Sequence, residues 1–128
     1  MGQLVFRGTV FSGNGAGKHF IELSWVKCQV ERKVGFTPYL GTLNLRLTKE
    51  EAEKRKMLDP TRGIQIKPAT GYFLGVLFRS MVEEQEAAVV VPVMPNYPTD
   101  VLEIIAPIYL RGKLKIEDGA GIVVTVTV

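Results

Sequence analysis

An all-β barrel of six or seven strands, decorated by short helices, is the fold this sequence predicts. Three observations lead there. Short β-branched and aromatic runs recur along the chain. Leu43-Asn44-Leu45-Arg46-Leu47 alternates strictly between apolar and polar residues. No strand–helix–strand periodicity of the kind that builds a parallel sheet connects the runs. The 128 residues are enough for one domain with a proper core and too few for two ordinary ones, so residues 1–128 are expected to form a single domain.

Residues 4–11 are β-branched and aromatic with Arg7 and Thr9 interleaved, a first strand. The strand runs into Ser12-Gly13-Asn14-Gly15-Ala16-Gly17-Lys18. Alternate glycines let a backbone take positive φ and approach a ligand, so that successive N–H groups can surround a phosphate, with Lys18 adding charge. The same spacing also suits a plain hairpin loop. It matches neither the P-loop nor the dinucleotide-binding fingerprint. Residues 19–23 are expected to form a short strand. Ser24 is expected to cap a helix bearing Val26, Val30 and Val34 on one face and ending at Gly35. Cys28, on that helix, is expected to be packed or inert.

Residues 35–47 then combine a turn-rich approach with the alternating strand. Leu43, Leu45 and Leu47 share one face; Thr42, Asn44 and Arg46 share the other. A hydroxyl and an amide oxygen two residues apart on one face can converge on one hard cation or polar ligand, although an ordinary half-buried strand has the same pattern. Thr48-Lys49-Glu50-Glu51 is a capping box. The helix it opens is charged nearly all round, which reads as a solvated face. Residues 63–68 and 71–82 are two further strands. The second carries Tyr72, Leu74, Val76 and Phe78 on one face and Phe73 and Leu77 on the other, the mark of a strand buried on both sides. A polar turn at residues 83–86 leads to a strand over 87–93, and the two prolines of residues 94–100 exclude a central strand there. Glu103 interrupts the apolar run 101–107, where a charge is costly unless paired or bound; it belongs either to a sheet edge or to a site. Residues 108–111 start a short helix or loop, Asp118-Gly119 makes a turn, and 122–128 alternate as a final strand.

Composition excludes several classes of function. With 46% hydrophobic and 23% charged residues the chain is neither disordered nor a membrane protein by composition. One cysteine, Cys28, and one histidine, His19, cannot build an internal disulfide or a cysteine-based zinc site. No signal-peptide core follows Met1 and no apolar run reaches bilayer-spanning length, so a cytoplasmic setting and no membrane partner are expected. The net charge of +3 does not repel anions. A nucleic-acid-binding barrel would interleave aromatics with a basic stripe on an exposed strand. Here Tyr72, Phe73 and Phe78 fall in the most apolar strand and read as core.

Three segments in this order resemble the archaeal CTP-dependent riboflavin kinases. They are Gly13-Asn14-Gly15-Ala16-Gly17-Lys18; Gly35-Phe36-Thr37-Pro38-Tyr39 with Gly41-Thr42-Leu43-Asn44; and Leu102-Glu103-Ile104-Ile105-Ala106-Pro107 with Ile108-Tyr109-Leu110-Arg111. The Asp118-Gly119 turn matches as well. The resemblance implies a small six-stranded cradle-loop barrel that transfers the γ-phosphate of CTP to the 5′-hydroxyl of riboflavin, giving FMN and CDP with a divalent cation; a monomer is expected. It implies that Gly13, Asn14, Gly15, Ala16, Gly17 and Lys18 hold the nucleotide phosphates, with Ile108, Tyr109, Leu110 and Arg111 helping to hold the nucleotide. Thr42 and Asn44 would coordinate Mg²⁺. Glu103 would face the ribityl chain, and Pro95 falls at a flavin-contact position; from its place in an apolar run, where burial can raise a carboxyl pKa, Glu103 is also a candidate base for the 5′-hydroxyl proton. The chain departs from the family pattern at Leu40, where the family has proline, and at Pro95, where it has a threonine able to hydrogen bond. Ala120 and Gly121 replace an acidic and an apolar residue. Alternative readings are a non-catalytic flavin- or nucleotide-binding relative and a nucleic-acid-binding β-barrel.

Overall fold

The computed structural model describes residues 2–13 and 15–128. Among the described residues there are seven strands, β1 (Gln3–Phe11), β2 (Leu43–Leu47), β3 (Ile64–Ile66), β4 (Leu74–Val82), β5 (Gln85–Val93), β6 (Val101–Ile105) and β7 (Gly121–Thr127), and four helices. These are α1 (Ala16–Glu22), α2 (Ser24–Lys33), α3 (Lys49–Arg55) and α4 (Leu110–Leu114), with a 3₁₀ turn at Pro60–Arg62. No described helix is long and apolar enough to cross a membrane.

The sheet runs β3-β4-β5-β6-β2-β1-β7, and a further β4–β7 pairing closes six of these strands into an antiparallel barrel. Closure works because β4 is long. One of its edges pairs with β5 throughout, while the other is shared between β3 at Gly75–Leu77 and β7 at Ser80–Val82. Closing the ring leaves few unpaired edge groups.

Two apolar clusters occupy the two sides of the wall. The barrel interior holds Phe6, Val10, Leu43, Leu45, Leu47, Val76, Phe78, Leu102, Ile104 and Val124, among others. Outside, Ile21 of α1 and Val26, Val30 and Val34 on the α2 face pack on Ile66, Leu77, Ala88, Val90 and Ile105. This explains why β4, β5 and β6 are apolar on both faces. The leucine row of β2 is buried as its alternation predicts, Leu45 completely.

Several expectations need correction. Residues 19–23 are not a strand: α1 covers most of them, seating Ile21 in the outer cluster. The N-cap of α2 is Leu23 rather than Ser24, without a side-chain cap, although the helix does end just before Gly35. Cys28 is exposed rather than packed. Thr48 caps α3 as predicted, accepting the Glu51 N–H at 3.4 Å, yet its charges are not simply solvated. Lys54 Nζ donates to the Val5 carbonyl at 2.6 Å and Arg55 Nε to the Val101 carbonyl at 2.8 Å. Tyr72 and Phe73 precede β4 and are 49% and 53% exposed, so only Phe78 of the three aromatics is core.

Candidate functional site

The outer face of the wall carries one row of residues in register across five strands. Phe11 of β1 pairs with Asn44 of β2, Asn44 with Glu103 of β6, Glu103 with Val90 of β5, and Val90 with Leu77 of β4. β6 is an interior strand, so the sheet-edge reading of Glu103 is excluded. A polar cleft opens on the Asn44 side of this row and an aromatic groove on the Glu103 side.

The cleft, about 380 Å³, is lined by Phe11, Ser12, Gly13, Gly15 and Lys18 from the β1–α1 segment, Gly41, Thr42 and Asn44 from β2 and its approach, and Tyr109 and Arg111 from α4. Segments far apart in sequence, singled out above for phosphate and metal, thus share one cavity. Two glycines of the loop serve different needs. Gly15 is at φ 87°, the left-handed conformation that begins α1. Gly13 abuts the Asn44 side chain, and a methyl group there would collide with the Asn44 amide nitrogen. Asn14 lies outside the described residues. Lys18 reaches the cleft with an exposed ammonium 3.9 Å from Glu22 Oε1.

Thr42 Oγ1 donates to Asn44 Oδ1 at 3.0 Å. Magnesium holds oxygens at 2.0–2.1 Å in near-ideal octahedral geometry, which puts adjacent ligands about 2.9 Å apart. The two oxygens therefore have the spacing of neighbouring ligands of such an ion. Among the described residues no group of three His, Cys, Asp or Glu side chains offers an alternative metal centre.

Arg111 is fixed by the turn that precedes β7 and by the end of β1. Its Nη2 donates to Asp118 Oδ1 at 2.8 Å and to the Phe11 carbonyl at 3.3 Å. The Ser12 hydroxyl donates to Asp118 Oδ2 at 2.9 Å. The Arg111 and Ser12 hydrogen bonds, with the Arg111 charge, hold the Asp118 carboxyl below the usual range. Beside the cleft, Ile108, Tyr109, Leu110 and Arg111 line a smaller hollow with Tyr39. The Tyr39 and Tyr109 rings stack at 5.1 Å. Leu110 is buried in the core.

The aromatic groove, about 180 Å³, is lined by Phe20 of α1, Tyr72 and Phe73 ahead of β4, Pro92 of β5, Met94 and Tyr97 of the β5–β6 loop, and Glu103. Edge-on contacts of Trp25 with Phe20 at 6.1 Å and with Tyr72 at 5.3 Å brace its wall. Pro95 is exposed and stands between Met94 and Tyr97 without lining the groove itself. The Tyr97 hydroxyl donates to Glu103 Oε1 at 2.6 Å, and the Arg55 guanidinium sits 5.4 Å from the Tyr97 ring centre. Burial first, then the hydrogen bond to Glu103 and its charge, push the Tyr97 phenol well above its ordinary pKa.

Sequence reasoning missed Phe20, Tyr97 and Arg55, and misplaced Tyr72 and Phe73. The one available signal was Thr70-Gly71-Tyr72-Phe73, where a glycine turn precedes two adjacent aromatics. Gly71 is at φ 89°, and the strand begins only at Leu74.

The chain is similar to known proteins along most of its length. The CTP-dependent riboflavin kinase family model, described as "Domain of unknown function DUF120", matches residues 10–126. A riboflavin kinase of Archaeoglobus fulgidus is 40% identical over 122 residues, 92% of this chain and 52% of that protein. One from Pyrobaculum aerophilum is 41% identical over 116 residues, 88% of this chain and 55% of that protein. One from Ignicoccus hospitalis is 36% identical over 124 residues, 94% of this chain and 69% of that protein. The chain spans about half the length of the first two.

Proposed function

The chain belongs to the CTP-dependent riboflavin kinase family, and from that premise we propose that it transfers the γ-phosphate of CTP to the 5′-hydroxyl of riboflavin, yielding FMN and CDP. The observation that carries this reading is the Asn44–Glu103 pairing, which brings a phosphate-sized polar cleft and an aromatic groove together at one point of the wall. The groove receives the isoalloxazine rings against Phe20, Tyr72 and Phe73, since flat aromatic ligands stack on such side chains. The ribityl chain then runs past Glu103 toward the cleft.

In the cleft, the loop N–H groups and Lys18 hold the triphosphate, and Arg111 lies at its border. Thr42 and Asn44 would hold a divalent cation, Mg²⁺, whose chemical contribution is to offset charge on the phosphate oxygens. The residues supply position and a proton acceptor. The 5′-oxygen forms a bond to the γ-phosphorus as the bond from that phosphorus to the β–γ bridging oxygen breaks. CDP leaves with the electron pair, and the hydroxyl proton passes to the Glu103 carboxylate.

The nucleic-acid reading fares worse, though not because the aromatics are core. Tyr72 and Phe73 are exposed, but the groove they line contains a carboxylate and no lysine or arginine, the opposite of a backbone-binding surface. The test is to incubate the protein with riboflavin, Mg²⁺ and each of CTP, ATP, GTP and UTP and to separate FMN by chromatography. FMN with CTP is expected. No FMN with any nucleotide would overturn the kinase reading, and FMN with ATP alone would overturn the assignment of CTP.

A further inference from the structure

Glu103 has three side-chain torsions and is only partly buried on the outer face of the wall, so its own strand does not fix where its carboxylate points. The contact that does fix it comes from outside the matched motifs. Tyr97 Oη lies 2.6 Å from Glu103 Oε1, a short charge-assisted bond of the stronger kind. Tyr97 is itself held. Arg55 covers its ring and is anchored through Nε to the Val101 carbonyl of β6, two residues before Glu103. α3, the β5–β6 loop and β6 are thus tied together at the carboxylate.

We propose that Tyr97 is a positioning residue that holds the Glu103 carboxylate by Oε1, leaving Oε2 to take the acceptor hydroxyl beside Asn44; this rests on the kinase reading above. A phenol suits the task. It has one proton to donate, and burial together with the Glu103 carboxylate holds that proton more tightly than in a free phenol. A carboxylate held by one oxygen loses the rotations that would carry it away from the substrate, and the reacting geometry is paid in advance. Arg55 belongs to the same relay because it seats the Tyr97 ring.

The test is a double-mutant cycle on the full chain, with Tyr97→Phe, Glu103→Gln and the two combined. Tyr97→Phe keeps the ring under Arg55 and removes only the hydroxyl. It is expected to lower kcat about tenfold or more while KM for CTP and the melting temperature stay near wild type. In the Glu103→Gln background the same change is expected to have little further effect, since a residue acting only through Glu103 has nothing left to position. Wild-type kcat in Tyr97→Phe overturns the proposal. So do equal losses in both backgrounds, or kcat falling together with melting temperature, either of which marks a structural role. If the wild-type protein makes no FMN with any nucleotide, it is the underlying kinase reading that has failed; a wild type that makes FMN beside an indifferent Tyr97→Phe condemns the positioning role alone.

Discussion

Asn44 and Glu103 stand directly opposite each other on antiparallel strands β2 and β6, which puts their Cβ atoms about 4.5–5.5 Å apart on the same outer face. Each belongs to a different cavity. The pairing sets the two hollows side by side and, on the proposed reading, decides which substitutions should affect one substrate, the other or both.

Asn44→Ala removes one of the two converging oxygens while leaving the leucine row on the opposite face untouched. Turnover is expected to fall by about 100-fold or more, in the range seen when a preorganised polar group of an active site is lost. The melting temperature should stay within a few degrees. Titrating Mg²⁺ in the assay checks the assignment: the variant should need markedly more metal. Wild-type turnover would remove Asn44 from the site.

Gly13→Ala tests the close approach of the loop to Asn44. The added methyl group meets the Asn44 amide, so the amide or the loop must move. The expected outcome is weaker binding of CTP, measured by calorimetry, and a higher Mg²⁺ requirement. Overall stability should drop by no more than about 1–2 kcal/mol, because the loop lies outside both apolar clusters. Unaltered CTP affinity would show that the loop can retreat without consequence.

Asp118 is predicted to couple a pH effect to Arg111. Its folded-state pKa is depressed below 3.8, so the folded chain binds this proton less readily than the unfolded chain. The stability it contributes is present above about pH 4 and is lost as the pH falls through the depressed value. Asp118→Asn should therefore flatten the acid limb of the unfolding curve below pH 4, read by circular dichroism. It also removes the negative charge that Arg111 faces across its 2.8 Å bond, and KM for CTP should rise. An unchanged acid limb would disconnect the pair from stability.

Tyr72→Ala and Phe73→Ala test the groove. Both rings are about half exposed, so their removal should leave the melting temperature nearly unchanged. Stacking of a flat ring on an aromatic side chain is worth roughly 1–3 kcal/mol, and riboflavin affinity, followed by quenching of its fluorescence, should weaken about tenfold in each variant. KM for CTP should not move. Equal losses for both substrates would mean that the groove and the cleft do not divide the substrates between them.

Much of the barrel is legible in the sequence because its burial is periodic. Leu43, Leu45 and Leu47 alternate with polar residues since one side of β2 faces the core and the other the polar cleft. α1 is not legible, because residues 19–23 are too few to separate a period of 2 from one of 3.6, and the helix is decided by the outer cluster that receives Ile21. Tyr72 and Phe73 mislead for a related reason: apolar residues next to a buried strand look buried unless a groove is known to need them. Glu103 is visible as a charge in an apolar run. Its partner Tyr97 is not, since their contact depends on how the loop with Pro95 and Pro98 folds back onto β6.

Glu103→Gln separates position from proton transfer. The glutamine side chain has the same length, and its amide oxygen can still accept the Tyr97 hydrogen bond that Glu103 Oε1 accepts. The loop, Arg55 and the groove should therefore keep their arrangement. Riboflavin should still bind, with quenching close to wild type, while kcat falls by about 10²–10⁴, the usual contribution of a positioned base. A substrate contact without proton transfer would instead raise KM for riboflavin and spare kcat. Wild-type rates with both substrates would leave Glu103 with only its place in β6.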